Sequence, residues 1–270
     1  MPLVAALLVP GSPLPYLRPE NPPWQAIAKA YQVAAAALQA ARPDVLLLYS
    51  TQWIAVLDEL WQLRERVNGV HVDENWYEYG DLAFDLVIDT AVTELCIERT
   101  PAIGVRSKGV DYDGFPIDTG TIVANGLLNR GAAARLVIAS NNVYHDWKRT
   151  SQLGAIAAAA AEDCGRRYAL IGVGGLSGTI FRNEIDIADD RIASEQDDRL
   201  NRELLSHLAQ GDRASLEPFC ADYARQARAD MGMKHMAWLL GGVGERYAGA
   251  DVLGYGPTYG AGAAVLQFRL

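Results

Sequence analysis

Few side chains in this chain are suited to chemistry near neutral pH. Its 270 residues include only four histidines and three cysteines. Cys96, Cys164 and Cys220 are far apart and odd in number, so neither a disulfide framework nor a CxxC metal knuckle is present, and a reducing cytoplasm suits them. His71, in Val70-His71-Val72-Asp73, spaces an imidazole and a carboxylate either as a metal pair or as a structural hydrogen bond. His145-Asp146 reads as a base beside its orienting carboxylate or as the cap of the next helix. His207 sits among charges and reads as surface, while His235, in Met233-Lys234-His235-Met236, faces a pocket or simply packs. Gly172-Val173-Gly174-Gly175 lacks the GxGxxG and GxxxxGK[ST] spacings that cradle phosphates. Ser177, in Gly175-Leu176-Ser177-Gly178, lacks the GxSxG spacing of a nucleophile elbow.

These residues must be positioned by the elements around them. Apolar strand-like runs at Leu3–Val9, Val45–Tyr49, Arg135–Ser140 and Tyr168–Val173 alternate with helical patterns at Trp24–Arg42, ended by Pro43, and at about Trp147–Cys164. That alternation predicts an α/β fold with a mixed or parallel central sheet covered by helices. Arg182–Arg228 is polar and helical in pattern, Phe219–Leu240 continues as helix, Asp251–Tyr259 reads as a glycine-rich loop, and Ala263–Phe268 is a last strand. No repeat or linker divides residues 1–270, which read as one domain. In such sheets ligands bind beyond the carboxyl ends of the strands. Pro10–Pro13, Ser50–Trp53, Ser140–Asp146 and Gly174–Gly178 should therefore converge if their strands run parallel.

Composition narrows the function further. Hydrophobic residues make up 50% and charged residues 21%, as in a packed globular domain, and 24 basic against 33 acidic residues give a net charge of −9. That charge argues against nucleic acid as a partner. The apolar start lacks a basic flank and is broken by Pro10-Gly11-Ser12-Pro13, so it is not expected to be a signal helix. Without about 18 uninterrupted apolar residues no membrane span is expected, and the cytoplasm is the expected location.

Taken together, Val9-Pro10-Gly11-Ser12-Pro13, Tyr49-Ser50-Thr51-Gln52-Trp53, Asp73-Glu74-Asn75-Trp76-Tyr77-Glu78-Tyr79-Gly80, Ser140-Asn141-Asn142 and Gly174-Gly175-Leu176-Ser177-Gly178 resemble the class III extradiol dioxygenases, the LigB-like ring-cleaving non-haem iron enzymes. The resemblance runs over nearly the whole chain and implies that family's fold. In active members the first loop reads Pro-His and the second His-Trp, and a glutamate near a C-terminal helix completes an Fe(II)-binding facial triad. Here those positions hold Gly11 and Gln52, no carboxylate falls between Met231 and Lys234, where Gly232 aligns, and Gly178 replaces the acid/base histidine. The resemblance thus implies a vestigial pocket without catalytic residues, metal or cofactor of its own, with Ser12, Trp53, Asn142, His145 and Ser177 as possible lining. It further implies a homologous catalytic beta subunit carrying Fe(II), an α2β2 heterotetramer, and a small aromatic substrate of the 2-aminophenol type for the complex. Two alternatives stay open: an independent metalloenzyme with ligands displaced to His71, Asp73, His145 or Asp146, and a regulatory protein that binds a small aromatic.

Overall fold

The computed structural model describes residues 2–270. In chain order the elements are β1 (Leu3–Val9), α1 (Leu14–Leu17), α2 (Gln25–Ala41), β2 (Val45–Ala55), β3 (Glu59–Gln62), β4 (Arg66–His71), β5 (Leu82–Val87), α3 (Thr90–Arg99), β6 (Ser107–Val110), α4 (Thr119–Leu128), β7 (Arg135–Asn142), α5 (Trp147–Asp163), β8 (Tyr168–Val173), α6 (Glu195–Gln210), α7 (Arg213–Gln226), α8 (Lys234–Val243), β9 (Ala250–Thr258) and β10 (Ala261–Phe268). Eight strands form one sheet in the order β6-β3-β7-β2-β8-β1-β10-β9, and β4 and β5 form a separate hairpin. The neighbours β7, β2, β8 and β1 are parallel, whereas β10 runs antiparallel to β1, β9 to β10, and β3 to β7. The α/β fold with a mixed central sheet is therefore the observed one.

The parallel strands read as unbroken apolar runs because both faces are covered. Leu8, Leu47, Tyr49 and Val137 face the core shared with α5, α6 and α8, while Leu7, Leu46, Leu48 and Ile138 face Ile27, Tyr31 and Leu38 of α2 and Val123 of α4. Alternate residues of each strand thus enter opposite cores, as the two-residue period of a strand requires. α5 and α8 approach so closely that a Cβ on Gly154 would lie 2.2 Å from the Trp238 carbonyl oxygen. This contact holds α8 against the sheet, with Lys234 and His235 in its first turn.

Four of the expected elements differ. Ser50–Trp53 lies within β2, but as a bulge: Tyr49 to Ile54 spans the same stretch as Ala139 to Asn141 of β7. The extra residues are pushed out of the ladder toward the strand ends. Asp251–Tyr259 is not a loop but mostly β9, an edge strand paired on one side with β10, where Pro257 is tolerated. The helix expected over Phe219–Leu240 is broken after Gln226, and Arg228, Met231, Gly232 and Met233 all adopt positive φ (50°, 42°, 67° and 64°) before α8 begins. The Arg182–Arg228 stretch opens as an irregular segment with one short 3-10 turn at Ile187–Asp189 and becomes α-helical only from Glu195. No helix of the described residues is long and apolar enough to cross a membrane.

Candidate functional site

The carboxyl ends of β1, β2 and β8 open into one cavity of about 1000 Å³. Pro10–Pro13 follows β1, Thr51 and Gln52 come from the β2 bulge, and Gly175, Ser177 and Gly178 follow β8. The loop between β4 and β5 contributes Asp73, Glu74, Asn75, Trp76 and Glu78 over the top, and the left-handed turn before α8 contributes Arg228–Met231. Gly11, Gln52, Gly178, Ser12 and Ser177 are thereby brought together.

Other expected residues lie elsewhere. Gly232 is not part of the cavity wall; Met231 takes that place because the left-handed residues turn the chain away. Trp53 is 6% exposed and packs edge-on against Phe115, being on the opposite side of the strand from Gln52. Asn142 points into the protein, donating to the Asp58 carbonyl at 3.1 Å. His145 lines a separate groove of about 430 Å³ with Tyr144, Asp146, Lys148, Arg149 and Gln152. Its Nδ1 lies 3.2 Å from Oε2 of the fully buried Glu59, whose acidity burial weakens against the pull of His145. Asp146 is the helix cap, accepting from the Arg149 N–H at 2.8 Å. His207 stacks on Phe219 at 4.0 Å between ring centroids, and His235 is packed in the core.

A polar arrangement survives in the cavity wall. Thr119, at the start of α4, donates its hydroxyl proton to Asp73 Oδ2 at 2.7 Å, and His71 Nε2 lies 2.8 Å from the same hydroxyl oxygen. A threonine has one proton to give, so His71 must donate from Nε2 and keep Nδ1 as its second ring nitrogen. His71 and Asp73 are thus joined through Thr119 and are not two arms of a metal site. Trp76 meets Tyr259 at 4.8 Å, and Tyr259 meets Phe181 at 6.1 Å, giving the cavity one aromatic side.

Sequence reasoning missed Asp230. Its Oδ2 accepts from the Thr51 hydroxyl at 2.6 Å and from the Gly175 N–H at 3.0 Å. The carboxylate thus occupies the backbone donor that a bound anion would use after β8. Directly beneath, His235 is fully buried against Gly174, and burial pulls its pKa down to about 4 against the opposing pull of Asp230 and of the Gly175 backbone. Ser177 is equally committed: its oxygen accepts from Asn201 Nδ2 and from the Gly262 N–H, both at 3.0 Å.

A divalent iron does not fit these residues. Glycine offers no donor at Gly11 or Gly178, the Gln52 amide reaches toward the Gly11 carbonyl at 3.4 Å, and one oxygen of Asp230 is held by Thr51 and Gly175. Among the described residues no group of three or more His, Cys, Asp or Glu side chains is placed to hold a metal ion. Restoring histidine is also obstructed at Gly178, where a Cβ would lie 2.2 Å from the Arg228 carbonyl oxygen; at Gly11 the nearest atom, 2.9 Å away, is the movable end of Gln52.

The sheet, the converging loops and the match over residues 9–266 to a family model described as the catalytic LigB subunit of aromatic ring-opening dioxygenase define the class: the chain belongs to the LigB family. A curated relative, the 2-aminophenol 1,6-dioxygenase alpha subunit of a Pseudomonas species, is 47% identical over 271 aligned positions that cover 100% of both chains. The 2-aminophenol 1,6-dioxygenase beta subunit of a Pseudomonas species is 23% identical, covering 93% of this chain and 89% of that one. Among solved structures, the crystal structure of the uncharacterized protein JW3007 from Escherichia coli K12 has the same fold, with a TM-score of 0.68 at 14% identity over 98% of this chain and 99% of the other.

Proposed function

We propose that this chain is the catalytically silent alpha-type subunit of a heteromeric extradiol dioxygenase. The complex opens the ring of 2-aminophenol or a chlorinated 2-aminophenol beside the amino-bearing carbon, giving products of the 2-aminomuconate 6-semialdehyde type. Fe(II) and O₂ chemistry belongs to a homologous beta subunit, the assembly is an α2β2 tetramer in the cytoplasm, and residues 1–270 serve as one domain. The observation that carries this reading is the cavity itself. Its loops converge on a cavity of about 1000 Å³ that presents Gly11, Gln52 and Gly178 where the family resemblance places imidazoles. The relative at 47% identity, named as an alpha subunit, supports the same assignment.

Such a subunit acts through assembly: docking buries surface on the catalytic partner and stabilises it by mass action. The partner made without this chain should then lose most of its soluble yield or ring-cleaving activity and regain both on co-expression. A lone partner with full activity and stability would remove the assembly role. A second reading, that the cavity binds a small aromatic as a regulatory site, is favoured by the aromatic side formed by Trp76, Tyr259 and Phe181. Titrating 2-aminophenol against the iron-free chain and following tryptophan fluorescence tests it; a non-saturable response would discard it.

A further inference from the structure

Exposed large apolar side chains concentrate at the outer ends of β2 and β7. Ile54, Val56 and Leu57 are 55%, 52% and 83% exposed, and Val143 and Tyr144 are 38% and 79% exposed. The two segments are neighbours, since Ala55 pairs with Asn142 and the Val143 N–H donates to the Ala55 carbonyl at 3.0 Å. Single exposed apolar residues are ordinary, whereas a contiguous group on a folded surface marks a place where something docks.

The charge around this group is opposite in sign to that of the chain. On one flank Asp58, 4% exposed, is gripped by Arg106 and by Lys108 Nζ at 3.0 Å, and the two cations project outward with their side chains 75% and 67% exposed. On the other flank Tyr144 shares its groove with Lys148, Arg149 and the exposed Asp146, which caps α5, so two cations there face one carboxylate. The patch is therefore apolar at its centre and basic at its rim, on a chain with a net charge of −9.

A second copy docked on the same patch about a two-fold axis would meet a rim of its own sign. The surface that fits is apolar in the middle and ringed by Asp and Glu, because complementary rims steer encounter and fix register. We infer that this β2–β7 surface is where the homologous catalytic subunit docks, its apolar patch on these five residues and its carboxylates on Arg106, Lys108, Lys148 and Arg149. The inference rests on the heteromeric reading above. Ile54 belongs both to the patch and to the cavity wall, so the docked partner covers one edge of the cavity mouth.

The test is co-expression with the cognate beta-type subunit, followed by size-exclusion and measured dissociation constants. Leu57→Asp and Tyr144→Asp should each weaken association by at least roughly 100-fold, the scale of an interface hot spot. Lys148→Glu should weaken it less and should lower the salt dependence of association. The control Val252→Asp, at an exposed apolar residue on the edge strand β9, should leave association unchanged, and each variant chain should melt with the wild type. Leu57→Asp and Tyr144→Asp complexes that assemble like the wild type, or an equal loss with Val252→Asp, would overturn the assignment. So would a wild-type self-dimer abolished by Leu57→Asp, which would make the occupant a second copy. Failure of the wild-type pair to co-elute would instead defeat the heteromeric reading itself, and this inference with it.

Discussion

At the scale of residues, the cavity is defined by what its side chains are already doing. Asp230 holds Thr51 and Gly175, so Asp230→Ala leaves a buried hydroxyl and a backbone N–H without their acceptor. An unfolding titration in urea should show a loss of about 1–3 kcal/mol, with Asp230→Asn losing less because its amide oxygen still accepts. His235 gives a pH signature. Its pKa is lowered to about 4 from 6.5 by burial, so the folded protein keeps it neutral while the unfolded chain takes up a proton below about 6.5. Its contribution to stability is whole above that pH and falls away as the pH drops toward 4, by roughly 3 kcal/mol at the limit. Glu59 works with the opposite sign: its pKa is raised by burial, so its contribution declines as the pH rises above the ordinary carboxylate range. The comparison that isolates His235 is therefore wild type against His235→Gln between pH 7 and 4.5. The wild type should lose more stability than the variant over that range, and parallel curves would contradict the burial argument.

At the scale of elements, the strands β1, β2, β7 and β8 and the helices α2 and α5 were legible in the sequence because unbroken apolar runs alternate with helical periods. The loops after β1, β2 and β8 were legible for the same reason, since a parallel strand delivers its following residues to one end of the sheet, whereas Ser140–Asp146 after β7, expected beside them, lies outside the cavity, and the β4–β5 loop and the turn before α8 carry no such signal. β9 was hidden because Gly254, Gly256 and Pro257 are turn formers, yet they suit an edge strand pressed against a helix: a Cβ on Gly254 would lie 2.6 Å from the Ala30 Cβ of α2. Asp230 was hidden by backbone conformation. Met231 and Met233 carry no mark of a left-handed turn, yet with Gly232 they reverse the chain and set the carboxylate one residue before the expected window. The segment between β8 and α6 packs so closely on this turn that Gly178 has become obligatory. Gly178→Ala should destabilise by about 1–3 kcal/mol, since backbone must move the most there, whereas Gly11→Ala, which meets the movable Gln52 tip at 2.9 Å and the Gly120 Cα only at 3.1 Å, should cost less. Thermal melts of the two variants measure the difference, and equal shifts would show that the Gly178 contact relaxes freely.

At the scale of the whole molecule, the converging strand ends surround a cavity whose polar wall is tied up in hydrogen bonds of its own. Asp73, Asp118 and Asp230 of the wall are tied to Thr119, Ser50, Thr51 and backbone amides, and the aromatic side is packed edge to face. Such a molecule keeps the shape of its family, and the proposed role asks of it a surface that receives a homologous partner. The most direct measurement is iron content together with 2-aminophenol ring cleavage for this chain alone, for its cognate beta-type subunit alone, and for the co-expressed pair. The chain alone should be iron-free and inert, and the pair should be active with one iron for every two chains. Iron retained by the lone chain together with turnover of 2-aminophenol would contradict the account, and would place a working site among the histidines that it assigns to structure.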